Sequence, residues 1–407
     1  MTPMRWRGLS VILKPPRPTY QSQSLQFRRT MTHDCKVAVL YQACEVPIIN
    51  GVQKPKKPGG YQDSGADIAY VLRQAGVQVA TPNHSPDPKQ DHGWCYPDTE
   101  AGILHAIEDG ATVLWANTIL FASHPLQTSS ILNEHASRLR VVGQPPKLVE
   151  HFDDKNHVNE LLRTKGRFTL PRCWIIESND SPLNMKNLPY PIVGKPIRGR
   201  GSHGVKVCRS EAELKNHISS LLKESPKIML EQFLDGQEGT VTVMPPTQEQ
   251  SYYHSLPFVE RFNHQDGIAP YSGVVAVTAN SRVLSSDEMS LDPTYAQIME
   301  ECEEIASCLH VTAPIRVDVR RLENLPKSRF AAFDINMKSV SRSWCSYLYF
   351  TTHHGHQNMT GPGRPGRENQ ASLTALAASG LSWDYPALLT RVLATANTLQ
   401  SLRDISI

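Results

Sequence analysis

Apolar and polar positions along the chain switch between two periods. Residues 36–41 (KVAVLY) are a short apolar run, the pattern of a strand buried on both faces. Residues 60–75 (GYQDSGADIAYVLRQA) place apolar side chains at helical spacing, and Gly76 follows as a stop. Residues 77–80 predict a second strand, and residues 99–109 a helix with Thr99 or Asp98 as its cap. Residues 112–116 and 139–142 predict two further strands. Strand and helix therefore alternate up to about residue 145, the signature of a parallel, Rossmann-like sheet with covering helices.

The pattern then changes. Residues 152–166 predict a polar helix and residues 169–177 a strand. Residues 190–196 and 205–208 flank a Gly-rich turn and predict an antiparallel pair. Residues 210–224 predict a helix capped by Ser210, with Glu213 three positions on. Strands are expected at 228–233, 240–244, 252–258, 273–278 and 315–319, and helices at 295–309 and 385–402. The fold class is thus α/β followed by α+β. The units run over residues 31–145, 146–245 and 246–407.

Composition narrows the classes. The 407 residues carry 42 Lys+Arg against 39 Asp+Glu, a net charge of +3 too small to indicate nucleic acid. No apolar run reaches the roughly 20 residues of a membrane-spanning helix. Eight scattered Cys, none in a CxxC pair, fit reduced thiols and a cytoplasmic protein. Residues 1–30 hold Arg5, Arg7, Lys14, Arg17, Arg28 and Arg29 and no acid. That is either an extension outside the fold, with Met31 as the true start, or a mitochondrial targeting segment. Residues 340–357 (VSRSWCSYLYFTTHHGHQ) begin with Val-Ser, as GTAAGT would encode, and end with Gln, as CAG would. They read as a translated intron.

Four groups carry candidate chemistry. Lys195-Pro-Ile-Arg198-Gly199-Arg-Gly201-Ser202-His203-Gly204 joins a cation to glycines whose amides can approach phosphate. Glu231 and Glu238 flank a hinge-like segment and can accept hydrogen bonds from an adenine and a ribose. Arg316 and Asp318 share one face of a strand, as do Asp334 and Asn336. Asp318, Asp334 and Asn336 offer oxygen alone, the set expected for Mg²⁺ beside nucleotide phosphates. Arg364 and Arg367 lie in a Gly/Pro-fixed loop suited to a carboxylate or phosphate.

In this order the groups resemble the ATP-grasp superfamily, within it the D-alanine–D-alanine ligase-like branch, over roughly residues 36–400. The resemblance implies a Rossmann-like domain followed by central and C-terminal subdomains that sandwich ATP. It implies nucleotide contacts from Lys155 of an Asp-Lys pair, Lys195, Arg198, Gly199, Gly201, Ser202, Gly204, Glu231 and Glu238. It implies one or two Mg²⁺ ions (or Mn²⁺) on Asp318, Asp334 and Asn336, with Arg316 stabilising the transition state. Arg364, Arg367 and, loosely, Glu45 remain for substrate. Removing residues 340–357 restores the branch's register, joining Asp334–Ser339 to Asn358-Met-Thr360. The segment that meets D-alanine in the ligases has no counterpart in residues 258–272.

The expected function is an ATP-dependent carboxylate–amine ligase acting through an acyl phosphate on small-molecule substrates, with no nucleic acid or membrane partner and a homodimer as a common state. The alternatives are a nucleotide-binding protein inactivated by the insert, or a carboxylate kinase or thiol ligase.

Overall fold

The structure, a computed structural model, describes residues 35–49, 52–53, 56, 58–179, 183–198, 203–269, 276–337 and 359–405. Residues 1–30 and 340–357 lie outside that set, so the extension and the insert carry no structural account.

The first sheet is parallel and built from β1 (Lys36–Tyr41), β2 (Gln78–Ala80), β3 (Val113–Asn117) and β4 (Arg140–Val142), in the order β4-β3-β1-β2. β1 and β3 are buried through their centres, as apolar runs in a covered parallel sheet must be. Helix α1 (Gln62–Gln74) lies against β1 because Gly65 lets it approach; a Cβ there would stand 2.7 Å from Cys95 Sγ. α1 starts later than the period suggested, since Gly59, Gly60 and Tyr61 all have positive φ. Helix α2 (Glu100–Glu108) is capped by Thr99, whose side chain accepts from the Gly102 amide.

The strand order reverses at β1 and β3. In open α/β sheets a crevice forms outside the carboxyl ends of the strands at such a point. Here that position is lined by the segments that follow β1 and β3.

The second sheet is antiparallel, with strands β5 (Cys173–Ile176), β6 (Ile192–Pro196), β7 (Lys206–Cys208) and β8 (Ile228–Gln232) in the order β7-β6-β8-β5. The β6–β7 pair matches expectation. β5 is shorter than the strand expected over 169–177, because Pro171 precedes it. Helix α3 (Lys155–Thr164) precedes this sheet, capped by Asp154. Helix α4 (Glu211–Leu221) buries Leu214, Ile218 and Leu221 against the sheet's apolar face.

The third sheet runs β11-β10-β9-β12-β13, with β9 (Glu238–Met244), β10 (Val259–Arg261), β11 (Ser281–Val283), β12 (Ile315–Arg321) and β13 (Phe330–Asn336). Its strands show why the site sits where it does. On β12, Ile315, Val317 and Val319 are buried and pack with helix α5 (Pro293–Cys308). Arg316, Asp318 and Arg320 alternate onto the other face. That face also carries Glu238, Thr240 and Thr242 of β9, which pair with Arg320, Asp318 and Arg316 in register.

Three expectations are corrected. The strand over 273–278 fails where it is described: Val277–Asn280 is a short helix, and the new strand is Ser281–Val283. The strand over 252–258 shrinks to His254–Ser255. The helix over 385–402 is broken into Tyr385–Leu393, a two-residue strand Asn397–Thr398, and Leu399–Asp404. The cause is local. Thr395 and Asn397 turn their side chains onto the backbone, Thr395 to the Val392 carbonyl at 2.7 Å and Asn397 to that of Thr395 at 2.8 Å. The end of this stretch leaves the third unit and pairs antiparallel with β4.

Candidate active site

The third sheet aligns its polar groups by register. Arg316 stands opposite Asn336, and Asp318 opposite Asp334, with a bulge immediately after that pair. Bulges of this kind re-aim side chains beside functional sites. Arg316 Nε donates to Asp318 Oδ1 at 3.0 Å and Nη2 to Oδ2 at 3.3 Å. Asn336 Nδ2 donates to Asp318 Oδ2 at 3.1 Å.

The second sheet and α3 bring the lysines onto the same cluster. Lys155, the first residue of α3, places its ammonium on Asp334 Oδ1. Lys195 reaches from β6 to Glu231 Oε2 on β8 at 2.7 Å and to the Phe333 carbonyl at 3.1 Å. Burial pushes the Asp334 carboxyl up, but Lys155 and Lys195 more than offset it and hold it below the usual range. Burial pulls Lys155 down, and Asp334 more than offsets that, leaving it raised. Glu231 is different: burial raises its carboxyl despite Lys195, and its Oε1 is buried with no hydrogen-bond partner among the described residues. A buried orphan acceptor beside a cleft is complementary to an amino donor.

Glu238 is buried and accepts from His264 Nε2 at 2.9 Å and Arg320 Nη1 at 3.4 Å. Arg320 also lies over the Phe233 ring, 4.8 Å from its centroid. The hinge between Glu231 and Glu238 is thereby tied to the loop that carries Gly267, whose carbonyl accepts from Arg320 at 2.7 Å. Arg198 donates to the Glu150 carbonyl at 3.2 Å and lies 3.7 Å from both Asp153 and Asp154. It fixes the entry of the Gly-rich loop next to the cap of α3. Gly204 takes φ 69°, and its carbonyl faces His217 Nε2 at 3.1 Å. Gly199, Gly201 and Ser202 lie outside the described residues. His203 is exposed, with its Nε2 2.9 Å from Glu224 Oε2.

Lys155, Lys195, Glu231, Arg316, Asp318, Asp334 and Asn336 therefore meet in one cluster. Arg364 does not join it. Its guanidinium is 1% exposed and committed: Nε to Asp67 Oδ1 at 2.9 Å, Nη1 to the Gln90 carbonyl, Nη2 to Asp91 Oδ1 at 2.5 Å and the Asp63 carbonyl at 3.2 Å. Arg367 likewise holds Asp67 Oδ2 at 2.7 Å and Asp63 at 3.6 Å. In this structure both arginines tie their loop to α1. Gly363 permits the contact, since a Cβ there would fall 2.4 Å from Asp67 Cγ. Glu45 lies on the segment after β1, largely exposed, with Lys56 Nζ at 3.0 Å.

That segment has an anchor that sequence reasoning missed. Asp98 is fully buried; its Oδ1 accepts the Ala43 and Cys44 amides at 2.7 Å each. Its Oδ2 accepts from Thr118 at 2.5 Å and meets His124 Nε2 at 3.2 Å. Burial raises this carboxyl, but His124, Thr118 and the Cys44 amide more than offset it, and it lies below the usual range. Asp98→Asn is expected to destabilise the chain by about 1–3 kcal/mol at neutral pH. A depressed carboxyl stabilises above its unfolded value of about 3.9. The difference from wild type should therefore be full above about pH 4 and shrink as pH falls through the folded value. Urea titrations across that range check it; a difference that grows on acidification would refute the assignment.

Comparison with known proteins shows what the chain is similar to. Residues 172–324 match the family described as "D-ala D-ala ligase C-terminus". D-alanine–D-alanine ligase from Bacillus anthracis complexed with ATP superposes with a TM-score of 0.57 at 14% identity, covering 91% of this chain and 98% of that one. The chain has the ATP-grasp fold that these ligases share. The D-Ala:D-Ser ligase VanG from Enterococcus faecalis superposes on this ATP-grasp chain with a TM-score of 0.51 at 13% identity, covering 88% and 98%. In sequence, D-alanine–D-alanine ligase from Aquifex aeolicus is 32% identical over 91 residues, 22% of this chain and 31% of that protein. The carbamoyl phosphate synthase large chain of Xylella fastidiosa is 25% identical over 180 residues, 41% of this chain and 16% of that protein. These alignments span less than a third of either relative. Among the described residues of this ATP-grasp chain, no helix is long and apolar enough to cross a membrane.

Proposed function

We propose that this protein is an ATP-dependent carboxylate–amine ligase. The observation that carries the reading is the single cluster of Lys155, Lys195, Glu231, Arg316, Asp318, Asp334 and Asn336 between the second and third sheets. Glu231 Oε1 would receive the adenine amino group and Glu238 the ribose hydroxyls. Lys155, Lys195, Arg198 and the Gly-rich loop through Gly204 would hold phosphate oxygens.

The donor set suits a hard divalent cation, because Asp318, Asp334 and Asn336 present oxygen alone on adjacent strands. Among the described residues no group of three or more His, Cys, Asp or Glu could hold a metal unaided. Two carboxylates and an amide fit Mg²⁺, whose remaining ligands are commonly water and nucleotide phosphate. When bound, such an ion would neutralise charge between the β- and γ-phosphates.

The chain's own residues then act by positioning and charge. A substrate carboxylate oxygen would attack the γ-phosphorus and ADP would leave, giving an acyl phosphate. An amine would add to the acyl carbon, lose a proton, and expel phosphate. Arg316, held flat by Asp318, would face the oxyanion of that tetrahedral intermediate. The reaction needs no nucleophilic side chain. The substrates enter by the crevice after β1 and β3, and their identities are for the assay to name.

ADP and phosphate release screened against pairs of amino acids and small carboxylic acids tests the reading. Release that requires both a carboxylate and an amine is the expected result. Release dependent on the carboxylate alone would replace ligase by kinase. A second expected result concerns residues 340–357, which we propose interrupt the sequence between Asn336 and Thr360. Deleting them should raise turnover, and equal turnover in both forms would show that they are tolerated.

A further inference from the structure

The charges of the cluster are already matched against one another. Lys155 rests on Asp334, Lys195 on Glu231, and Arg316 and Asn336 on Asp318. Each carboxylate suited to a metal holds a protein donor, and each cation suited to phosphate holds a carboxylate. Lys155 and Asp334 matter most, because one pair joins the two ligands' sites. Their side chains are 22% and 28% exposed, so the pair is partly screened from water.

The consequence for binding is direct. A divalent cation arriving alone at Asp334 would have to dislodge the Lys155 ammonium or sit beside it, a like-charge contact. A polyphosphate arriving alone would draw Lys155 away and leave the Asp334 carboxylate without its counter-ion. Arriving together, the two resolve both problems: Lys155 passes from carboxylate to phosphate as the cation takes its place. We propose that Lys155 is an internal counter-ion occupying the cation position on Asp334, so that divalent cation and nucleotide bind as one unit. This rests on the nucleotide site proposed above and concerns its regulation.

Binding free energies coupled in this way are reciprocal, typically by 5–150-fold. Titration of the full chain with Mn²⁺ alone, a non-hydrolysable ATP analogue alone, and the two together measures the coupling. Mn²⁺ should bind at least about tenfold tighter in the presence of the analogue, and the analogue tighter by the same factor with Mn²⁺. Lys155→Met should bind Mn²⁺ alone at least about tenfold tighter than wild type, while its affinity for the analogue falls. If that variant does not fold, Asp334→Asn carries the test: its affinity for the analogue alone should equal or exceed wild type, with the Mn²⁺ coupling lost. Coupling absent from the wild type, or Mn²⁺ affinity unchanged in folded Lys155→Met, overturns the proposal while leaving the nucleotide site standing. Failure of the wild type to bind the analogue under any condition overturns both.

Discussion

Replacing Asp334 with Ala should lower ADP formation by about 10²–10³-fold, the scale on which a preorganised electrostatic group contributes to turnover. The effect combines two losses. The oxygen proposed to hold the cation disappears, and Lys155 loses the carboxylate that holds it at the head of α3. Folding should survive, because Asp334 sits on the polar face of β13, 28% exposed, and the β12–β13 ladder remains. Asp318 also stays bonded to Arg316 and Asn336 in the variant. The measurement uses whichever form turns over, full length or lacking residues 340–357, with a thermal melt as the folding control. Unchanged ADP formation in a folded Asp334→Ala protein would remove the site from consideration.

Arg364→Ala should have the largest effect on stability, about 3–5 kcal/mol. The guanidinium is 1% exposed and Asp67 is 0% exposed, so the substitution leaves a buried carboxylate with Arg367 as its remaining cation. Asp91 and the carbonyls of Asp63 and Gln90 each lose one donor as well. Urea unfolding followed by intrinsic fluorescence reads the loss. Asp67→Ala should cost a similar amount, and the double variant less than the two together, since both act on one network. An unfolding midpoint unaffected by Arg364→Ala would show that the cluster is not a structural tie.

Much of the fold was legible because its rules are local. The apolar run of β1, the Thr99 cap of α2 and the β6–β7 hairpin each follow from neighbouring residues. The charged cluster was legible for a related reason: Arg316 and Asp318, and then Asp334 and Asn336, share strand faces by simple alternation. Arg364 shows the limit. Its Gly/Pro loop reads as an anion site, but its partners Asp63, Asp67 and Asp91 lie some 270–300 positions away along the chain. Asp98 shows the same limit from the other side. Beside Thr99 it passes for a helix cap, whereas tertiary packing turns it onto the Ala43 and Cys44 amides. The break after Leu393 was written in Thr395 and Asn397, side chains that compete with helical hydrogen bonds.

The return of Asn397–Thr398 to β4 bears on how the molecule is made. Arg140 donates to the Ala396 carbonyl across 256 positions, and Arg403 to the Leu126 carbonyl across 277. During vectorial synthesis the first sheet therefore emerges early with its β4 edge unpaired, and must wait for the rest of the ATP-grasp unit to be translated. An open edge is an invitation to pair with other chains. The Rossmann-like unit, translated before the two units that follow it, is on this account among the last to be finished, and truncation before residue 397 would expose the β4 edge.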